Sequence, residues 1–106
     1  MRNRIDIDRG RDENGNTIIR ATRRKGSHGY ETDWQQTGYQ SAEKAGRELA
    51  RKHATAGPGA PATVWAETDA EPGRVTYTAL PELDPTSEAA AEIVAAGGFV
   101  TEGGAR

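Results

Sequence analysis

The chain has no cysteine, which removes disulfides, thiolate metal sites and a cysteine nucleophile together. No stretch approaches the ~18 consecutive apolar residues of a membrane-spanning helix, and no apolar run follows Met1. A cytoplasmic location away from membranes is therefore expected. Large apolar residues are scarce, with Leu, Ile, Val and Phe numbering thirteen of 106. So low a share accompanies disorder when net charge is high, but the formal net charge here is only −2. We therefore expect one folded domain over residues 1–100 with a thin core and a stability on the order of 5 kcal/mol. Alanine, Trp34, Trp65 and the three tyrosines must stand in for missing aliphatic side chains. Residues 101–106 are expected to form a disordered tail.

Charge is plentiful and unevenly placed. Residues 1–53 carry twelve Lys/Arg against eight Asp/Glu, while residues 54–106 carry two against eight. The near-neutral total conceals a basic half and an acidic half, which suggests a basic surface for an anionic partner. Arginine outnumbers lysine eleven to three, a usage that resembles a GC-rich bacterial or phage genome.

Periodicity gives the elements. Arg4-Ile5-Asp6-Ile7-Asp8 alternates as a strand with one buried face, and Thr17 to Thr22 is its β-branched return. Asn14-Gly15 between them suits a two-residue type I′ turn. That turn sets Arg11 opposite Ile18, Arg9 opposite Arg20 and Ile7 opposite Thr22. It gathers Ile5, Ile7 and Ile18 at one end of a face and Arg9, Arg11 and Arg20 towards the other. Lys25 to Gly29 reads as a loop and Tyr30 to Gln36 as a third strand.

Ser41 is a good N-cap for a helix over 41–54, with Ala42, Ala45, Gly46, Leu49, Ala50 and His53 on one face. A face of Ala and Gly can lie close against a sheet. Glu43–Arg47 and Glu48–Lys52 add i,i+4 support. After the Gly57-Pro58-Gly59 connector, Thr63–Asp69 and Arg74–Leu80 form a second hairpin with Pro72-Gly73 in a type II turn. Val64 and Ala66 are expected to share a face with Val75, Tyr77 and Ala79, and Trp65 and Leu80 to lie opposite. Asp84-Pro85 starts a short helix to about Ala96, its apolar side Ala89, Ala90, Ile93 and Val94 closed by Phe99. The expected fold class is α+β: an antiparallel sheet of about five strands in the order β-β-β-α-β-β-α, one main helix on one face and a short C-terminal helix.

Chemical motifs are few. Asp6, Asp8, Asp12, Asn14 and Asn16 fail the calcium-loop spacing, because Thr17 stands where Gly is needed and Arg23 where the bidentate Glu is needed. His28 and His53 have no zinc-binding spacing, and Gly57-Pro58-Gly59 lacks the Lys-Ser/Thr of a phosphate loop. No Ser or Thr sits in a recognisable nucleophile motif. We expect no enzymatic activity, no metal and no cofactor.

Two binding readings remain open. Arg9, Arg11, Arg20, Arg23, Arg24 and Lys25, with Trp34 beside them, could contact nucleic acid; they could equally be a solvated face that protects a sheet edge. Ile93 and Val94 on the C-terminal helix, or an exposed sheet edge, could receive a protein partner or a second copy.

Residues 4–54 also carry a resemblance. Strand, strand, strand, helix, with arginines on the strands and Tyr39-Gln40-Ser41-Ala42-Glu43-Lys44-Ala45 at the helix start, is similar to three-stranded DNA-binding domains of the integrase arm-binding type. The chain departs from them in the long Lys25–Tyr30 connection, the acidic residues of strand one and the second hairpin. The resemblance implies a sheet backed by one helix and assigns no function. Negative net charge and acids within the basic hairpin place a protein-binding or assembly module first and a nucleic-acid-binding accessory protein second.

Overall fold

The computed structural model describes residues 3–25, 28–36, 42–54 and 61–101. Its elements are β1 (Asn3–Arg11), β2 (Thr17–Lys25), β3 (His28–Gln36), α1 (Ala42–Ala54), β4 (Thr63–Glu71), β5 (Arg74–Leu80), α2 (Glu88–Ala95) and β6 (Phe99–Thr101). The strands form one antiparallel sheet in the order β3-β2-β1-β5-β4-β6. The protein is thus α+β, with the five expected strands, two helices and a short sixth strand.

The first hairpin closes differently from expectation. Asp12 N–H donates to Asn16 O at 2.9 Å, and Gly15 N–H returns to Asp12 O at 3.0 Å. Gly15 alone takes a positive φ in this turn, at +82°. The loop therefore holds three residues, a type I turn with a glycine bulge, in place of a two-residue type I′ turn. The cause is the Asp12 carboxylate, whose Oδ1 accepts from Asn14 N–H and Asn16 N–H, both at 2.9 Å. Arg9 then pairs with Ile19, and Ile7 with Ala21. A slip of one residue exchanges the faces of a strand. Ile19, not Ile18, joins Ile5 and Ile7 in the core, and Arg20 moves to the opposite face from Arg9 and Arg11.

The second hairpin repeats the lesson. Glu71 and Arg74 flank Pro72-Gly73 as expected, with Gly73 at φ +81°. A bulge between Asp69 and Glu71 then shifts the pairing, so that Trp65 faces Ala79 and Glu67 faces Tyr77. Trp65 therefore shares the face of Val75, Tyr77 and Ala79, and Val64 and Ala66 lie on the other.

The main core sits between α1 and one face of the sheet. It joins Ile5, Ile7, Ile19 and Ala21 to Ala45, Leu49, Ala50 and Ala54, and continues through Tyr77, Ala79, Trp65 and Phe99. Gly46 permits the close approach, because a Cβ there would stand 2.9 Å from Ile7 Cγ2. Arg23 Nη1 donates to the His53 carbonyl at 2.6 Å, placing a cation at the C-terminal end of α1. Trp34 and Tyr30 lie on β3, and the expected N-cap Ser41 lies outside the described residues, as do Tyr39 and the 55–60 connector.

On the far face α2 packs over β4 and β6. Val64 and Ala90 are fully buried there, apart from the main core. The helix starts later than expected. Asp84 accepts from Thr86 N–H and Thr86 Oγ1 in a turn of its own, and Ser87 is the N-cap, its Oγ accepting from Ala90 N–H at 3.2 Å. Phe99 does not close α2. Gly98, where any Cβ would collide with the Trp65 carbonyl and Ile93, brings the chain against β4 as β6. Phe99 so enters the α1 side, its ring 6.2 Å from Trp65 and 5.3 Å from Tyr77, under the Arg51 guanidinium. Thr101, expected to begin the tail, pairs with Thr63; residues 102–106 lie outside the described residues.

Gly46→Ala is expected to lower the urea midpoint, although alanine gains about 1 kcal/mol of helix propensity, because the methyl group must displace Ile7. A raised midpoint would mean that α1 lifts from the sheet at no cost.

Candidate functional site

α1 makes most of its sheet contacts with β2 and β1. Beside it, the partly buried Val75 of β5 borders a cleft of about 470 Å³. Ile7, Ile19 and Val75 give it apolar walls, Gly46 and Arg47 close it from the helix side, and the Pro72-Gly73 turn forms one end. Burial orders its polar groups by depth. Tyr77 is 3% exposed, while the side chains of Glu67, Arg47 and Glu43 are 20%, 42% and 74% exposed.

These groups form a chain of contacts. Tyr77 Oη donates to Glu67 Oε2 at 3.2 Å, and Arg47 Nη2 reaches the same oxygen at 3.5 Å. Burial, and then the Glu67 charge, push the Tyr77 hydroxyl up to about 12, so it stays a proton donor at neutral pH. Arg47 Nε is buried with no hydrogen-bond partner among the described residues. At the mouth Arg9 stands 3.9 Å from Glu43, a loose contact between exposed side chains. A cleft of this size, mostly apolar, with a few converging polar groups, has the makings of a binding site.

The other face carries a different network. By register Arg20, Thr22 and Arg24 of β2, Arg4, Asp6 and Asp8 of β1, and Arg74, Thr76 and Thr78 of β5 share it. Asp6 is buried at its centre. Its Oδ1 accepts from Thr76 Oγ1 at 2.7 Å and its Oδ2 from Arg24 Nε at 2.6 Å, with Arg4 Nε 3.9 Å away. Burial pulls the Asp6 carboxyl upward, but the Thr76 hydroxyl, Arg24 and Arg4 together outweigh it and hold it below the ordinary carboxylate range. Arg74 Nε donates to Asp8 Oδ1 at 2.6 Å.

The basic cluster seen in the sequence is therefore not one surface. Arg9, Arg11 and Arg23 belong to the α1 side, where Arg11 Nη1 donates to Gly15 O at 2.9 Å. Arg20 and Arg24 belong to the far side, Lys25 ends β2, and Trp34 of β3 is paired with Arg20 in register. Ile93 lies against Gly98, and Val94 is 45% exposed, the one large apolar side chain so exposed among the described residues. A single such residue is ordinary and makes no patch. β3 is an edge strand, but a bulge at Thr32 interrupts it, a feature that discourages edge-to-edge pairing. The cleft was not visible in the sequence, because it depends on how far α1 reaches across the sheet.

Among the described residues no helix is long and apolar enough to cross a membrane, and no three His, Asp or Glu residues cluster as metal ligands. Comparison with protein-family models, with curated proteins and with solved structures finds no match.

Asp6→Asn is expected to cost about 1–3 kcal/mol at pH 7 in urea unfolding, because Arg24 loses its charged partner. The sign with pH follows from the lowered carboxyl. Its contribution is complete above the unfolded value of about 4 and disappears as pH falls through the lower folded value, so the two chains should converge in acid. A gap that stays constant down to about pH 2 would contradict this assignment.

Proposed function

We propose that this protein is a non-enzymatic protein-binding module, and that the cleft between α1 and β5 is where a partner's side chain docks. The observation that supports it is a mostly apolar cleft lined by Ile7, Ile19 and Val75, with a hydrogen-bonding chain at its base. An apolar or aromatic anchor in a preformed pocket, ringed by polar groups, is how protein interfaces concentrate their affinity. Arg9 and the buried Arg47 Nε–H favour a carboxylate beside that anchor. Binding fits the site better than catalysis does. Tyr77 keeps its proton at neutral pH, and Glu67 is engaged by both Tyr77 and Arg47.

A random-peptide display library panned on the immobilised chain tests this. Enriched peptides should carry an apolar or aromatic residue next to Asp or Glu. Val75→Arg, shown by circular dichroism to be folded, should weaken them at least tenfold. No enrichment, or equal binding to the folded V75R chain, would overturn the reading.

A further inference from the structure

The first turn carries chemistry as well as geometry. We infer that Asn14 is a site of spontaneous deamidation, and that the hydrogen bonds centred on Asp12 restrain it while the chain is folded. Of the three asparagines, Asn14 alone precedes a glycine; Asn3 is followed by Arg4 and Asn16 by the β-branched Thr17. A glycine has no side chain to shield its backbone nitrogen from a neighbouring amide. Asn14 and Gly15 are both exposed, and nothing stands within 4 Å of where a Gly15 Cβ would be.

The reaction needs only water. The Gly15 nitrogen gives up its proton to solvent and attacks Asn14 Cγ. A C–N bond forms, the Cγ–Nδ2 bond breaks, and the side-chain nitrogen leaves as ammonia after taking a proton from water. The product is a five-membered succinimide, which water then opens. Addition at Cγ restores the normal backbone with aspartate at 14. Addition at the Asn14 backbone carbonyl leaves the chain running through Cγ, an isoaspartate with one extra methylene in the backbone. Either product places a new carboxylate beside Asp12 and Glu13. The second also lengthens the three-residue loop on which the β1–β2 register depends.

The folded turn opposes ring closure. To attack, the Gly15 nitrogen must eclipse the Asn14 Cα–Cβ bond. The third position of a type I turn holds ψ near zero, so Asn14 has to rotate by about 120° about its Cα–C bond. That rotation turns Gly15 N–H away from Asp12 O, its acceptor at 3.0 Å. It also carries off Gly15 O, which accepts from Arg11 Nη1 at 2.9 Å, and Asn16 N–H, which donates to Asp12 Oδ1 at 2.9 Å. The same Oδ1 accepts from Asn14 N–H at 2.9 Å and fixes the near side of the turn. Asp12 N–H donates to Asn16 O at 2.9 Å and closes the far side. The restraint therefore lies in the backbone around Gly15, the nucleophile, and Asp12 contacts both of its flanks.

The test follows the full-length chain at neutral pH and physiological temperature by mass spectrometry of its peptides, with aspartate and isoaspartate products separated by chromatography. In urea above the unfolding midpoint, conversion should occur at Asn14 well ahead of Asn3 and Asn16. In the folded chain it should be slower by about tenfold or more, because ring closure there breaks at least two hydrogen bonds. Asp12→Ala, shown by circular dichroism to be folded, should recover most of the urea rate. Asp12→Asn keeps an acceptor oxygen in place and should stay within about threefold of the native folded rate. Should Asp12→Ala not fold, the ratio of folded to urea rates in the native chain carries the test by itself. Conversion at Asn3 or Asn16 as fast as at Asn14 in urea, equal rates in the folded and unfolded chain, or a folded Asp12→Ala chain as slow as the native one would each overturn the inference.

Discussion

The carboxylate of Asp12 accepts from the backbone N–H groups of Asn14 and Asn16 and so closes the first hairpin in the register that buries Ile5 and Ile7 beside Ile19. Everything else in the sheet is built on that strand pair. β1 is central, paired on its other side with β5, so its register also sets Tyr77 beside Ile5 and Val75 beside Ile7. Asn16 N–H is the largest influence holding the Asp12 carboxyl below its ordinary range, as expected of an acid that is bonded in its ionised form. One polar loop thus decides which apolar side chains meet.

A core with so few aliphatic residues depends on closeness more than on volume. Gly46, Ala45, Ala50 and Ala54 let α1 approach the β1–β2 pair, and Leu49 is the one large side chain it buries. The same economy leaves Val75 of β5 only partly buried, and the cleft lies beside it. At the other end of the core Trp65, Tyr77 and Phe99 supply bulk that α1 does not, with Arg51 laid over the Phe99 ring.

The elements were legible from the sequence and their faces were not. Alternation at Ile5 and Ile7, the Ala/Gly face of α1 and the Pro72-Gly73 turn all identify their structures. Face assignment depends on single-residue events. At the first turn the sequence motif Asn14-Gly15 has two outcomes, and Asp12 selects the longer one through side-chain bonds that propensity does not count. At Ala70 an extra residue reverses β4, and no residue type there marks it. β6 was missed because three residues carry too little pattern, and Gly97-Gly98 reads as a helix stop when it is also the means of close approach to β4. The cleft and the far-face network both lie beyond those events, so neither could be read before the pairing was known.

The acids within the basic hairpin bear on the two binding readings in a way that composition alone misjudges. Counted as charges, Asp6, Asp8, Glu31 and Glu71 match Arg4, Arg20, Arg24 and Arg74, which share the far face with them by register. Placed in the sheet, Asp6 and Asp8 each take one arginine through Nε. A mobile arginine loses much rotamer freedom on meeting an acid, whereas a guanidinium already fixed by a carboxylate has lost it during folding. The cleft side follows the same logic, with Glu67 holding Tyr77 and Arg47 in place before any partner arrives.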